Sequence, residues 1–153
     1  MPDQVRHDEK KGKFMHQLPI FLNLTGSTVV LVGQGEAADA KARLIERAGG
    51  RIVSAWEQGA TIAFVALDDE TAARTAAAEL RAHSLLVNVV DRPELCDFTT
   101  PAIVDRAPVT IAIGTGGASA GLAKAVRQRI ESLLPARLGA LATALHAARD
   151  AMK

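Results

Sequence analysis

The chain of 153 residues has no tyrosine, one tryptophan and only 3% aromatic residues. Without aromatic platforms for bases, a stacking surface for single-stranded nucleic acid is not expected. A single cysteine, Cys96, leaves no internal disulfide framework. No apolar run approaches the ~20 residues that a membrane-spanning helix needs, and Met1 to Gln17 is too polar for a signal peptide. Neither a membrane nor nucleic acid is therefore an expected partner, and the expected location is the cytoplasm. Metal-ligand spacing is missing too. His7 and His16 are isolated in the opening segment, His83 and His146 fall in helical stretches, and Cys96 has no His or Cys beside it. No metal is expected, Cys96 reads as structural, and Trp56 reads as packing.

What the chain does have is aliphatic bulk and glycine. Hydrophobic residues make up 48%, so Ala, Val, Leu and Ile must fill the core, as they do where parallel strands are buried on both faces. Thr28–Val32 reads as a buried strand and Glu36 to Ala48 as a helix ended by Gly49-Gly50. Between them lies Gly33-Gln34-Gly35-Glu36-Ala37-Ala38, a G-x-G-x-x-A turn. In such a turn the first glycine permits a tight bend. The second lets backbone amides approach a pyrophosphate, and the small third residue lets the helix pack on the strand. The helix N-terminus adds unpaired amides and a favourable dipole. Gly33, Gln34, Gly35, Glu36 and Ala37 are thus the expected dinucleotide contacts.

Further apolar segments follow at Arg51–Trp56, Thr61–Leu67, Leu85–Val90 and Val109–Ile113, with helices expected at Thr71–Ala82, Ser119–Leu134 and Leu138–Met152. Alternating strands and helices imply an α/β, Rossmann-like, mainly parallel sheet with helices on both faces. Residues 1–17 read as a disordered tail, 18–113 as the nucleotide-binding domain and 114–153 as a small helical extension. Gly33, Asp68, Asp91 and Gly114 all fall at carboxyl ends of strands, the rim where such sheets bind ligands. A carboxylate there, Asp91, can move a proton to or from a bound substrate; the simpler reading is a turn-initiating Asp. Thr115-Gly116-Gly117-Ala118-Ser119 offers amides and hydroxyls to an anion, or Ser119 merely caps the next helix. Charge is uneven: residues 1–105 carry 11 Lys/Arg against 15 Asp/Glu, residues 106–153 carry 7 against 2. The basic third suits an anionic ligand, or is a solvated helix face.

Several motifs occur in one order: Leu18-Pro19-Ile20-Phe21-Leu22, the glycine turn, Lys41-Ala42-Arg43-Leu44, Asn88-Val89-Val90-Asp91, Phe98 to Arg106, Gly116-Gly117-Ala118-Ser119 and Glu131 to Pro135. Together, over about Leu18 to Ala142, the chain resembles precorrin-2 dehydrogenase, the dehydrogenase and ferrochelatase module of siroheme synthase. The resemblance implies NAD as cofactor, oxidation of the tetrapyrrole precorrin-2 to sirohydrochlorin, and in many members insertion of Fe²⁺. It implies Asp91 as the catalytic carboxylate. It also implies Asn88, Arg106, Thr115, Gly116, Gly117 and Ser119 on the substrate side, with Lys124, Arg127 and Arg129 as weaker candidates for a polycarboxylate substrate. It implies a homodimer formed through about Pro101 to Pro135.

Between Arg51–Trp56 and Thr61–Leu67 the family has a helix, a strand and a helix, where this chain has Glu57-Gln58-Gly59-Ala60. Four residues reach at most ~14 Å, and parallel neighbours need a crossover of about a dozen. The expectation is therefore that Arg51–Trp56 is an irregular connection or pairs antiparallel with Thr61–Leu67. In the first case Asp68 or Asp69 becomes the acid for the adenosine ribose. The family's terminal helical region lies largely beyond Met152. Two other readings stay open: a reduced relative that binds NAD or tetrapyrrole without turnover, and an NAD-sensing regulatory domain.

Overall fold

The computed structural model describes residues 15–151; most of the 1–17 segment, including His7, and Met152 lie outside the described residues. The chain forms β1 (Thr28–Gly33), α1 (Glu36–Arg47), β2 (Arg51–Val53), β3 (Ile62–Ala66), α2 (Glu70–Ala82), β4 (Leu86–Val89), β5 (Ala102–Arg106), β6 (Val109–Ile113), α3 (Ala120–Leu133) and α4 (Leu138–Ala151). The first four strands make one parallel sheet in the order β2-β1-β3-β4.

The period-2 alternation of the strands decides which residues meet which helix. Val29, Leu31, Ile62, Phe64 and Ala66 pack with Ala38 and Ile45 of α1 on one face. Val30, Ala63, Val65, Val87 and Val89 pack with Ala73, Ala77 and Leu80 of α2 on the other. The sheet is thus covered on both faces by aliphatic side chains, as the composition implied. Gly49, with φ 81°, follows the end of α1, and Asp69 caps α2 by accepting from the Ala72 amide at 2.7 Å.

The expected irregular or antiparallel role of Arg51–Trp56 is overturned. Its first three residues form a parallel strand beside β1, while β3 lies parallel on β1's other side. The length argument failed because it assumed full-length strands. Val53 stands opposite Val30 and Ile62 opposite Val29, so the chain steps back by one residue along the sheet. It must still cross two strand spacings, ~10 Å. Residues 54–61 can reach ~27 Å, which is ample.

The second departure is at the C-terminal side. Residues 102–106 form a strand that the sequence reading did not pick out, and β6 pairs with it antiparallel in a separate two-stranded sheet. The half-exposed alternation along β6 suits such a ribbon. α3 packs against both strands and α4 against β6. Ser119 caps α3, its hydroxyl accepting from the Leu122 amide at 3.1 Å.

Candidate functional site

The crevice between β1 and β3 is where the sheet's strand order reverses, the place at which open α/β sheets hold nucleotides. Gly33 and Ala66 are paired at its mouth. Gly33 has φ 126°, and a Cβ there would stand 2.0 Å from the Ala66 carbonyl oxygen, so only glycine lets the two strands close at this point. Gly35 is different. It is the N-cap of α1 with φ 86° and ψ −171°, a region open essentially to glycine alone. A Cβ on it would meet nothing within 4 Å. No side chain caps α1, so the amides at its start, from Glu36 and Ala37 onward, are left to a ligand. Glu36 and Asp39 in the first turn already oppose the dipole, so anion recognition there rests on directed amides. Beside this cradle is a cleft of about 460 Å³, lined by Gly33, Gln34, Ser54, Leu67 and Asp68 among others. Ser54, just past β2, stands where dinucleotide folds often place the ribose acid; Asp68, just past β3, brings a carboxylate to the same cleft. These residues fit a dinucleotide: an open amide cradle, a glycine that the strand approach requires, and a ribose-side carboxylate.

A second cleft, of about 540 Å³, opens past the end of β4. The structure brings together there Asn88, Asp91, Thr115, Gly116 and Gly117, all expected on sequence grounds. Asp91 is exposed and lies at the apex of a tight turn, the Arg92 amide returning to the Val89 carbonyl at 3.3 Å. Its φ is 59°, a left-handed conformation that Asp tolerates better than most residues. Asn88 is buried at the cleft wall. Its amide nitrogen donates to the Phe98 carbonyl at 2.9 Å, while its Oδ1 is buried without a partner. The Thr115 hydroxyl closes its own loop, donating to the Ser119 carbonyl at 3.1 Å and accepting from the Ser119 amide at 3.3 Å.

Two expected substrate contacts are not at this wall. Ser119 spends its hydroxyl on the α3 cap. Arg106 lies on β5, 3.7 Å from Glu131 and hydrogen-bonded to the Asp105 and Glu131 carbonyls. Arg127 is likewise paired with Glu131 at 2.5 Å, whereas Lys124 and Arg129 are exposed on α3.

Three residues at the site were not singled out by sequence reasoning. Arg92 lines the second cleft and donates to the carbonyls of Leu67 and Asp68 at 2.9 and 2.6 Å, so one guanidinium forms the wall between the two clefts. Cys96 lines the second cleft too. Its sulfur accepts from the Val89 amide at 3.2 Å, and burial pushes the thiol's pKa up. Lys41, half-buried on α1, reaches the cleft and donates to the Thr100 hydroxyl at 2.7 Å. Burial lowers its pKa, against the opposing pull of Cys96 and Asp91. Lys41 had a sequence signal, its place in a family-like motif; its side-chain direction is a matter of helix phase on this sheet. Trp56, expected to pack, stacks on His83 with centroids 4.1 Å apart.

Residues 50–102 match a family model described as putative NAD(P)-binding. Siroheme synthase of Methylobacillus flagellatus is 38% identical over 166 residues, covering 91% of this chain and 36% of that protein. Siroheme synthase of Stutzerimonas stutzeri is 39% identical over 155 residues, covering 84% of this chain and 33% of that one. Over most of its length the chain is similar to one part of these siroheme synthases. It spans about a third of the length of these relatives. The alignment of 166 positions exceeds the 153 residues of the chain, so the relative carries residues that are missing here. The solved structure of SirC, precorrin-2 dehydrogenase, has the same fold, with a TM-score of 0.70 and 21% identity, covering 87% of this chain and 79% of that one. Among the described residues, no helix is long and apolar enough to cross a membrane. No group of three or more His, Cys, Asp or Glu residues there could hold a metal ion.

Proposed function

We propose that the protein oxidises precorrin-2 to sirohydrochlorin with NAD⁺, Asp91 acting as general base. The observation that carries this reading is the placement of the Asp91 carboxylate. It stands in a cleft with the Thr115–Gly117 loop, one guanidinium away from the crevice that fits a dinucleotide. NAD⁺, when bound, would supply the hydride acceptor. Gly33, Gln34, Gly35, Glu36 and Ala37 would hold its pyrophosphate by backbone amides, and Asp68 would accept from the adenosine ribose. The reaction removes a hydride and a proton, giving sirohydrochlorin, NADH and H⁺. Asp91 takes the proton, for which an exposed carboxylate on a fixed turn is suited. Asn88 Oδ1, buried and unpartnered, suits a substrate donor, and the amides of Gly116 and Gly117 suit a carboxylate. Fe²⁺ insertion, if the chain performs it, uses the same carboxylate to take pyrrole protons, with the iron as substrate.

The working unit is proposed to be a homodimer. Leu122 and Leu133 of α3 and Leu141 and Leu145 of α4 are more than half exposed, apolar area of a kind that marks interfaces. One cysteine and a pyridine nucleotide suit the reducing cytoplasm.

The test is NADH formation from precorrin-2 by wild type and Asp91→Ala. Loss of a positioned base costs about 10²–10⁴ in rate, with the melting temperature retained. A fully active Asp91→Ala protein rejects Asp91 as the base. Wild type that binds NAD⁺ and sirohydrochlorin but produces no NADH is a binding protein.

A further inference from the structure

We propose that Lys41 is the carboxylate anchor of the second cleft, holding an acidic side chain of the tetrapyrrole beside Asp91. The inference rests on the precorrin-2 reading and names a residue that reading does not need. Three facts support it. Among the described residues, Lys41 and Arg92 are the only lysine or arginine side chains lining the cleft, and Arg92 has its guanidinium turned onto the Leu67 and Asp68 carbonyls. Lys41 uses one of its three N–H donors on Thr100 and, among the described residues, enters no ion pair. Its ammonium also stands 5.6 Å from the Phe64 ring centroid, which fixes the stem in the cleft wall. A half-desolvated cation with free donors, facing a cleft meant for a polycarboxylate, is completed by a carboxylate. Cys96 does not compete for it, because its raised pKa keeps the thiol neutral near pH 7.

One consequence concerns α1. Its N-terminus faces the dinucleotide crevice, and its middle, through Lys41, faces the second cleft. A single rigid helix then registers cofactor against substrate.

The alternative is that Lys41 only braces the segment carrying Thr100. Direct binding of sirohydrochlorin and, separately, of NAD⁺ decides between them, using wild type, Lys41→Met, Lys41→Gln and Lys41→Arg. Gln keeps a donor for Thr100 without the charge, and Arg keeps the charge. Anchoring predicts that Met and Gln both weaken sirohydrochlorin binding by about tenfold or more, the usual scale for a lost charge-assisted hydrogen bond. Arg should stay within about threefold, and NAD⁺ affinity should be unchanged. The two neutral variants should also show a flatter dependence of affinity on salt. Sirohydrochlorin binding that survives in Met, or that is restored by Gln, overturns the proposal while leaving the dehydrogenase reading intact. Wild type that does not bind sirohydrochlorin overturns both.

Discussion

Alanine at Gly33 and alanine at Gly35 should do opposite things, and the pair tests where the dinucleotide sits. At Gly33 the new Cβ would lie 2.0 Å from the Ala66 oxygen and 2.6 Å from its carbonyl carbon. Contact needs about 3.4 Å or more, so the backbones of two central strands must part by over 1 Å at a residue whose φ is 126°. Overpacking and backbone strain together cost about 3 kcal/mol or more, which at ~3 °C per kcal/mol for a chain of this size is a melting temperature lower by about 10 °C. At Gly35 the Cβ meets nothing within 4 Å, so the cost is backbone strain alone, about 1–3 kcal/mol. Its Cβ, however, enters the space over the α1 amides where the pyrophosphate is proposed to lie. Thermal melting with and without NAD⁺ reads both effects. At a hundred times its Kd, NAD⁺ should raise the wild-type stability by about 2.7 kcal/mol, a shift of about 8 °C. Gly35→Ala should fold and lose that shift. If Gly35→Ala keeps the full shift, the dinucleotide does not bind on the α1 N-terminus; if Gly33→Ala melts no lower than Gly35→Ala, the strand contact does not carry the strain assigned to it.

Four further outcomes are expected. Alkylation of Cys96 by iodoacetamide should have its pH midpoint above the ordinary thiol value of 9.0, because burial raises its pKa; a midpoint at or below 9.0 contradicts this. Lys41 has a lowered pKa in the folded chain, so the unfolded chain binds more protons between that value and 10.5. Wild-type stability should therefore rise relative to Lys41→Met as pH climbs through that window in urea titrations. Asn88→Ala leaves the half-buried Phe98 carbonyl without its donor and should cost about 1–3 kcal/mol in chemical denaturation. Ser119→Ala removes the α3 cap and should cost about 1 kcal/mol, seen as a lower denaturation midpoint.

Much of the architecture was legible because it depends on local rules. Glycine at positions 33 and 35, an aliphatic run before and an amphipathic run after are a strand, turn and helix in any parallel sheet. Asp91 and the paired glycines stood out by residue type and by their motif, and the fold brings them to one cleft. The role of Arg51–Val53 was not, because crossover length depends on strand length and register, which pairing sets. Strand β5 was missed because Ala102–Arg106 ends in charged residues and depends on its partner β6. The status of Arg106 was also hidden: its companion Glu131 is 25 positions away in sequence and adjacent only through the packing of α3 on β5.

By itself, then, the sequence determined most of the elements, the two covered faces of the sheet and the glycine cradle, since all three follow from periodicity and backbone stereochemistry within a few residues. Only the tertiary structure decided that β2 fits beside β1, that Arg92 walls one cleft from the other, and that Lys41 faces Asp91's cleft. Those outcomes depend on which strand lies next to which and on how far a side chain reaches across the sheet, and no stretch of chain carries that information alone.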